Sequence, residues 1–366
     1  MRTLGNRLLL LWKKYERHIN LGGLVLGFTF DLWLAKRPDS VADNILLIVY
    51  LIIVGTVIIL LNSKARRQME REHPTEPLLL LLVLQFCFGG LANNMLILYG
   101  KSGTLGGSFL FVGLLGAFAL GNEFLKGRYE QLRFNIAIYY FLLLTYCIIA
   151  VPTFLLHAIG TEQFLLSCLV SIICIAVFLT ALFLTTFRRR EKKQMIEVSL
   201  ILATVLVVFN VFYFFNIIPP VPLSLKQIGV YHSIERATNT GSAWFAATYE
   251  EPAWYVFWRD TSSAFTYNRG DDAYCFSAVF APGSLSTPVI HRWEKFNRQT
   301  ENWETQSTFA FSINGGRAAG YRGYSQETMT PGAWRCNVET KKGQLIGRIS
   351  FSALEGSGAT IATTTL

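Results

Sequence analysis

The sequence predicts a polytopic α-helical membrane bundle of seven transmembrane helices followed by an antiparallel, immunoglobulin-like β-sandwich. Three observations carry that class: apolar runs of bilayer-spanning length up to residue 218, a polar alternating pattern beyond it, and a periodic distribution of basic residues between the runs. The expected domains are residues 1–218 for the helices, a Pro-rich linker at 219–224, the sandwich at 225–354 and a flexible tail at 355–366.

With 366 residues, a mean hydropathy of +0.36, 52% apolar residues and 16% charged ones, the chain is too apolar for an ordinary soluble protein of its size. The apolar runs lie at 19–34, 45–61, 78–99, 105–125, 134–156, 164–187 and 198–218. A helix crosses the hydrocarbon with roughly 17–25 mostly apolar residues, a length that every run except the first attains. No small-residue cleavage site follows the first run before Lys36 and Arg37, so it does not read as a secretory signal.

A net charge of +9 raises the question of nucleic acid, and its location answers it. Residues 1–222 hold 20 Lys and Arg against 12 Asp and Glu, whereas residues 223–366 hold 13 against 12. Segments outside the apolar runs carry 5, 2, 4, 1, 3, 0 and 5 basic residues in chain order. That alternation is the positive-inside pattern for a cytoplasmic N-terminus. An odd number of spans then puts the C-terminal domain on the opposite face, outside the cytoplasm. The charge is a topology signal, and a nucleic-acid partner is not expected.

Four cysteines, Cys87, Cys147, Cys168 and Cys174, fall inside apolar runs, where a thiol acts as a small apolar side chain. Cys275 and Cys336 fall on strand positions of the exported domain. There they read either as a disulfide, which persists outside the cytosol, or as two buried thiols.

Polar side chains within a bilayer are costly, which singles out Asn93, Asn94, Asn122 and Glu123. Glu123 follows Gly113, Ala117 and Gly121, a small residue every four that suits close helix packing. It reads either as a buried acid facing Asn93 or Asn94, able to carry a proton or a cation, or as a topology-setting partner of Lys126 and Arg128. The second reading is preferred, because no other acid lies at mid-depth. Glu197 beside the basic cluster 188–193 reads the same way. HExxH, GxSxG and CxxC motifs are lacking, and Gly100-Lys101-Ser102 is missing the first glycine of a phosphate loop, since Met95 stands there.

Beyond Pro219-Pro220-Val221-Pro222, whose prolines favour an extended exit from the membrane, short alternating runs lie at 229–236, 242–249, 254–259, 273–280, 287–295, 303–313, 332–339 and 345–352. Breakers separate them, among them Asn314-Gly315-Gly316, read as a hairpin turn. Six of the eight tryptophans lie here: Trp244, Trp254, Trp258, Trp293, Trp303 and Trp334. One or two would fill a small core. His291 and Trp293, two apart, share a strand face. They line a ligand groove, or Trp293 is core with His291 hydrogen-bonded at its edge, the preferred alternative. Arg317, Arg322 and Arg335 alternate with Tyr321, Tyr324 and Trp334, suggesting arginines stacked on aromatic rings along one sheet, either as structure or as a surface for anionic or sugar groups. A metal set of His232 and His291 with Asp271 or Asp272 has no supporting ligand spacing, so no metal and no cofactor are expected.

At residues 216–223 (NIIPPVPL), Tyr231-His232, 279–285 (VFAPGSL), His291-Arg292-Trp293, 315–324 (GGRAAGYRGY), 332–338 (GAWRCNV) and 121–125 (GNEFL), the chain resembles an uncharacterised bacterial membrane-protein family. In that family a helical membrane half precedes a C-terminal domain of unknown function marked by His-x-Trp, Gly-Tyr-Arg and Gly-x-Trp-Arg motifs. Cys336 departs from the pattern, standing where an aliphatic residue is expected. The resemblance implies the inner membrane of a Gram-negative bacterium and supplies no activity.

The functional expectation is a non-enzymatic inner-membrane protein whose periplasmic sandwich binds an envelope glycan or a protein partner. The tentative ligand residues are His291, Trp293, Arg317, Tyr321, Arg322 and Tyr324. The alternative is a membrane-embedded enzyme or transporter for a lipid-linked or small polar substrate near Glu123, Asn93 and Asn94.

Overall fold

The computed structural model describes residues 38–366 except 69–77, 105–106, 122–130, 187–191, 240–241, 257–258, 284 and 357–359. Two compact units divide the chain. The first holds the described residues up to Gly100 with Leu110–Val151 and Phe164–Phe212; the second holds Lys101–Phe109, Pro152–Gln163 and Tyr213–Leu366.

The helices are α1 (Val41–Gln68), α2 (Leu78–Ser102), α3 (Phe109–Gly121), α4 (Leu132–Ala150), α5 (Thr161–Thr186) and α6 (Lys192–Phe214). Among the described residues five helices, not seven, are long and apolar enough to cross a membrane, all but α3. The run at 19–34 lies outside the described residues. Of the run at 105–125, the described residues form a short apolar helix, Phe109–Ala119. At 1.5 Å per residue that covers about 17 Å of a hydrocarbon layer of about 30 Å.

Helix α4 is the best-buried of the candidate spans, with Tyr139, Tyr140 and Tyr146 among its buried side chains. The backbone after it widens into a π-turn, Val151–Leu156. Pro152 accounts for that, having no N–H to give and a ring that collides with the carbonyl one turn back. The prolines after α6 do not form an extended rod. Val221 N donates to Pro219 O at 2.8 Å and Leu223 N to Pro220 O at 3.0 Å, and Ile218, Val221 and Leu223 are buried.

Among the described residues eleven strands follow: β1 (Ser224–Tyr231), β2 (Ser233–Asn239), β3 (Ser242–Glu250), β4 (Ala264–Tyr267), β5 (Asp272–Phe280), β6 (Ser286–Asn297), β7 (Asn302–Asn314), β8 (Tyr321–Thr328), β9 (Gly332–Thr340), β10 (Leu345–Glu355) and β11 (Ile361–Thr365). They form three sheets, ordered β1-β5-β8, β4-β10-β9-β6-β7 and β11-β3-β2. All pairings are antiparallel except β4 with β10. The architecture is therefore larger than the seven or eight strands of a two-sheet sandwich.

Strand β5 explains the third layer. Its residues alternate between two cores, with Ala273, Cys275 and Val279 facing the five-stranded sheet and Phe276 and Ala278 facing β2, β3 and β11. A strand covered on both faces is apolar along most of its length, which is how Ala273 to Phe280 reads, Ser277 apart. The first core joins Val230, Cys275, Trp293, Trp334, Cys336 and Phe351.

Three strands escape the pattern reading. β4 is only four residues long, β8 is polar, and the expected flexible tail instead supplies β11, which pairs with β3 and ends in buried Leu366. The run at 254–259, read as a strand, contains none among its described residues. Asn314-Gly315-Gly316 is not a hairpin turn either. It carries the chain from β7 in the five-stranded sheet to β8 in the central one. The left-handed backbone is there, at Gly316 with φ +100°.

Candidate functional site

His291 and Trp293 do not line a groove. Both are 0% exposed, inside the layer between the five-stranded and central sheets. His291 Nε2 lies 2.8 Å from Ser277 Oγ on β5, and Nδ1 lies 3.0 Å from Ser325 Oγ on β8. Trp293 Nε1 donates to the same Ser325 Oγ at 2.9 Å. Either neutral tautomer satisfies both serines. Protonation would put an uncompensated charge in the core, and burial accordingly pushes the His291 pKa down to about 4.

Cys275 and Cys336 are joined by a disulfide between β5 and β9, in the core that holds Trp293 and Trp334. Their sulfurs and a ring nitrogen of His291 lie within 4.8 Å of one another, a grouping with metal-ligand chemistry. Here the sulfurs are bonded to each other and both imidazole nitrogens have serine partners. His232 pairs with Glu250, Nε2 to Oε1 3.2 Å, so the set of two histidines with Asp271 or Asp272 does not assemble.

The arginine and tyrosine candidates are dispersed. Arg322 Nη1 donates to the main-chain oxygen of Leu366 at 2.9 Å, tying β8 to the end of β11. Tyr324, on the same face of β8, sits edge-on to Phe245 at 5.8 Å. Tyr321 points the other way, into the second core beside Ile313 and Val338, with the exposed Arg317 guanidinium 5.7 Å from its ring centre. Arg335 stacks on Trp303, 4.2 Å from the ring centre, a ring outside the expected set of Tyr321, Tyr324 and Trp334. These residues do not form one ladder.

In the helical unit, Asn94 Nδ2 donates to Gly90 O one turn back at 2.8 Å, and Asn210 and Asn62 make the same local bond. Such bonds satisfy an amide in an apolar surround without a ligand. Asn93 has partners of its own. Asn122 and Glu123 lie outside the described residues. Glu197 meets Arg133 of α4, Oε2 to Nη2 2.5 Å.

The sequence reading missed the outward face of the five-stranded sheet. Alternation along β6, β9 and β10 places Arg292, Glu294, Arg335, Asn337, Glu339 and Arg348 opposite the core residues Trp293, Cys336 and Ile349. Arg335 Nε donates to Glu294, Arg292 Nε to Glu339 at 3.0 Å, and Arg348 Nε to Asn337 Oδ1 at 2.6 Å. Asn337 Nδ2 also donates to Glu294 at 2.7 Å. Burial first, and then the neighbouring Arg335, push the Arg348 pKa below its ordinary value against the opposing pull of Glu294 and Glu339. The available signal was the polar member of each alternating pair, read one strand at a time and never across strands.

A helical unit with five candidate spans, joined in one chain to a layered β-domain with a disulfide-pinned core, is the class of protein that the fold defines. The family described as "Protein of unknown function (DUF2914)" matches residues 286–353, from the first residue of β6 into β10, and so takes in the whole outward face just described. No curated protein matches. Among solved structures, one similarity is to the β-glucosidase from Listeria innocua in complex with gluconolactone, at 9% identity and TM-score 0.20, over 31% of this chain and 17% of that one. Another is to the Pseudomonas fluorescens alkylpurine DNA glycosylase AlkC bound to DNA containing an abasic site analog, at 10% identity and TM-score 0.19, over 87% and 99%. The chain thus spans about a sixth of the first structure's length, and neither likeness bears on fold or function.

Proposed function

We propose that the chain is an integral protein of a bacterial inner membrane that holds its β-domain in the periplasm, where the domain binds an envelope component or a protein partner without catalysing a reaction. Lipid as solvent is supported by the apolar side chains that the helices turn outward, such as Leu79, Val177, Leu184 (84% exposed) and Leu200. In water each would forgo about 1.5–3 kcal/mol of burial.

The orientation rests on one observation. Lys101–Phe109 and Pro152–Gln163 belong to the same compact unit as the strands and carry one basic residue and none. The described residues of the connectors rich in Lys and Arg, 64–68, 131–133 and 192–193, belong to the other unit. By the positive-inside rule, the basic set faces the cytoplasm and the β-domain faces away. A disulfide fits that compartment. Its position between facing sheets, packed among tryptophans, also supports an immunoglobulin-like relation for those two layers.

An alkaline phosphatase fused after Leu366 is expected to be active, and a reporter that fluoresces only in the cytosol is expected to be dark there. The opposite pair of results would overturn the orientation.

A further inference from the structure

We propose that the outward face of the five-stranded sheet is a binding platform for an anionic saccharide, a sugar whose carboxylate or phosphate is gripped by Arg292, Arg335 and Arg348. The inference deepens the binding function just proposed and rests on it for the identity of the compartment, not for the chemistry.

The register builds the platform in rows. Arg348, Asn337, Arg292 and Thr308 lie side by side across β10, β9, β6 and β7; the next row is Ser350, Arg335, Glu294 and Thr305. Phe296 and Trp303 pair beyond that row, with ring centres 5.3 Å apart.

All three arginines make their hydrogen bonds through Nε, to Glu294, Glu339 and Asn337, which are 9%, 7% and 2% exposed, and Arg335 also stacks on Trp303. Among the described residues no acceptor meets any of their Nη atoms. A guanidinium pinned at Nε keeps its paired Nη groups, the fork that matches the two oxygens of a carboxylate or phosphate, in a fixed direction. Three cations against two carboxylates leave the array at net +1, with Arg348 hydrogen-bonded to a neutral amide.

Solubility does not ask for this arrangement. Scattered polar side chains serve a solvated sheet face, whereas sinking two carboxylates in ion pairs adds little to stability. A saccharide uses what is present. Its C–H face packs on an aromatic ring, its hydroxyls meet Thr305, Thr308 and the carboxylates, and its acidic group meets the forks. An acidic peptide would gain little from Trp303 beside Arg335, and a lipid surface needs protruding side chains rather than cations tied down among buried acids.

The test uses the full chain in detergent micelles, titrated with tetragalacturonic acid, with a phosphorylated mannose oligosaccharide and with neutral galactotetraose. A deca-glutamate peptide and phosphatidylglycerol vesicles complete the set. One or both acidic sugars should bind, more weakly as salt is raised, and which one binds assigns carboxylate or phosphate. Arg348→Gln should weaken that binding about tenfold. Trp303→Ala should weaken it as well, and Arg269→Gln, at a remote exposed turn, should not.

Equal binding of galactotetraose, unchanged binding by Arg348→Gln, binding of the peptide or vesicles without the sugars, or binding of nothing would each overturn the platform. Melting temperatures of the variants separate lost binding from lost folding. Sugar binding with a cytosolic reporter signal would keep the platform and reject the compartment, and the converse would do the reverse.

Discussion

Trp293 donates its indole N–H to Ser325, 2.9 Å away, across the gap between the five-stranded sheet and the central sheet. The same oxygen meets His291 Nδ1 at 3.0 Å, so one hydroxyl serves two buried rings. The His-x-Trp pattern is thus a structural clamp, with both side chains on the core face of β6.

Replacing Ser325 by Ala should therefore destabilise the domain out of proportion to the single oxygen removed. It strands the indole N–H and one imidazole nitrogen in a dry core, at about 1–3 kcal/mol each. Denaturant unfolding of Ser325→Ala, followed by Trp fluorescence, should show a loss of about 2–5 kcal/mol. Ser312→Ala, at an exposed site on β7, should show almost none.

The depressed pKa of His291 gives stability a defined pH dependence. The unfolded chain takes up a proton on this ring near pH 6.5 and the folded one only near pH 4. Stability from this group is complete above pH 6.5, falls as the pH drops toward 4 and levels off below. The total is about 3 kcal/mol for a gap of this size. Melting curves between pH 7 and 4 should show a smaller decline for His291→Gln than for the native chain. Parallel slopes would reject the neutral buried imidazole.

The disulfide should matter strongly for the β-domain. Its cysteines are 61 residues apart, and closing a loop of that size removes about 4 kcal/mol of unfolded-state entropy on the chain-entropy account. The double variant Cys275→Ala, Cys336→Ala should unfold at correspondingly lower denaturant. In native membranes opened with denaturant and no reductant, thiol labelling should reach the other cysteines and spare these two.

Gly323 tests the contact between β8 and β7. A Cβ there would lie 2.4 Å from the Phe311 ring, which itself stands edge-on to His291 at 4.8 Å. Gly323→Ala should cost about 1–3 kcal/mol through overpacking. Adding Phe311→Leu should recover part of it, measured by the same unfolding assay.

What was legible in the sequence follows the range of the physics. Helical runs and strands such as β5, β6 and β9 announce themselves through local apolar spacing; the bounds of these three strands lie within two residues of expectation, whereas α1 runs on to Gln68 past the expected 61 and α6 begins at Lys192 ahead of the expected 198. Strand β8 did not, because Arg322, Tyr324 and Gln326 face one way and Tyr321, Gly323 and Ser325 the other, leaving no apolar stripe to read. Strand β11 owes its order to β3 and to the hold of Arg322 on Leu366, both far away in sequence. The outward face was missed for a related reason. The preferred reading of His291 and Trp293, a core indole with a hydrogen-bonded imidazole beside it, needs one strand only, while the face carrying Arg292, Asn337 and Arg348 exists only once three strands are laid side by side.

The two-sided burial of β5 has a practical corollary for anyone wishing to excise the segment that the DUF2914 family matches. That fragment begins at residue 286 and leaves behind β1 and β5 along with Ser277 and Cys275. Cut free, it would keep β8 as the one strand of the central sheet and leave Trp293, Val338 and Phe351 without the cover of β1 and β5. The smallest piece with a prospect of autonomous folding starts upstream of β1, and a clone bounded by the family match should aggregate.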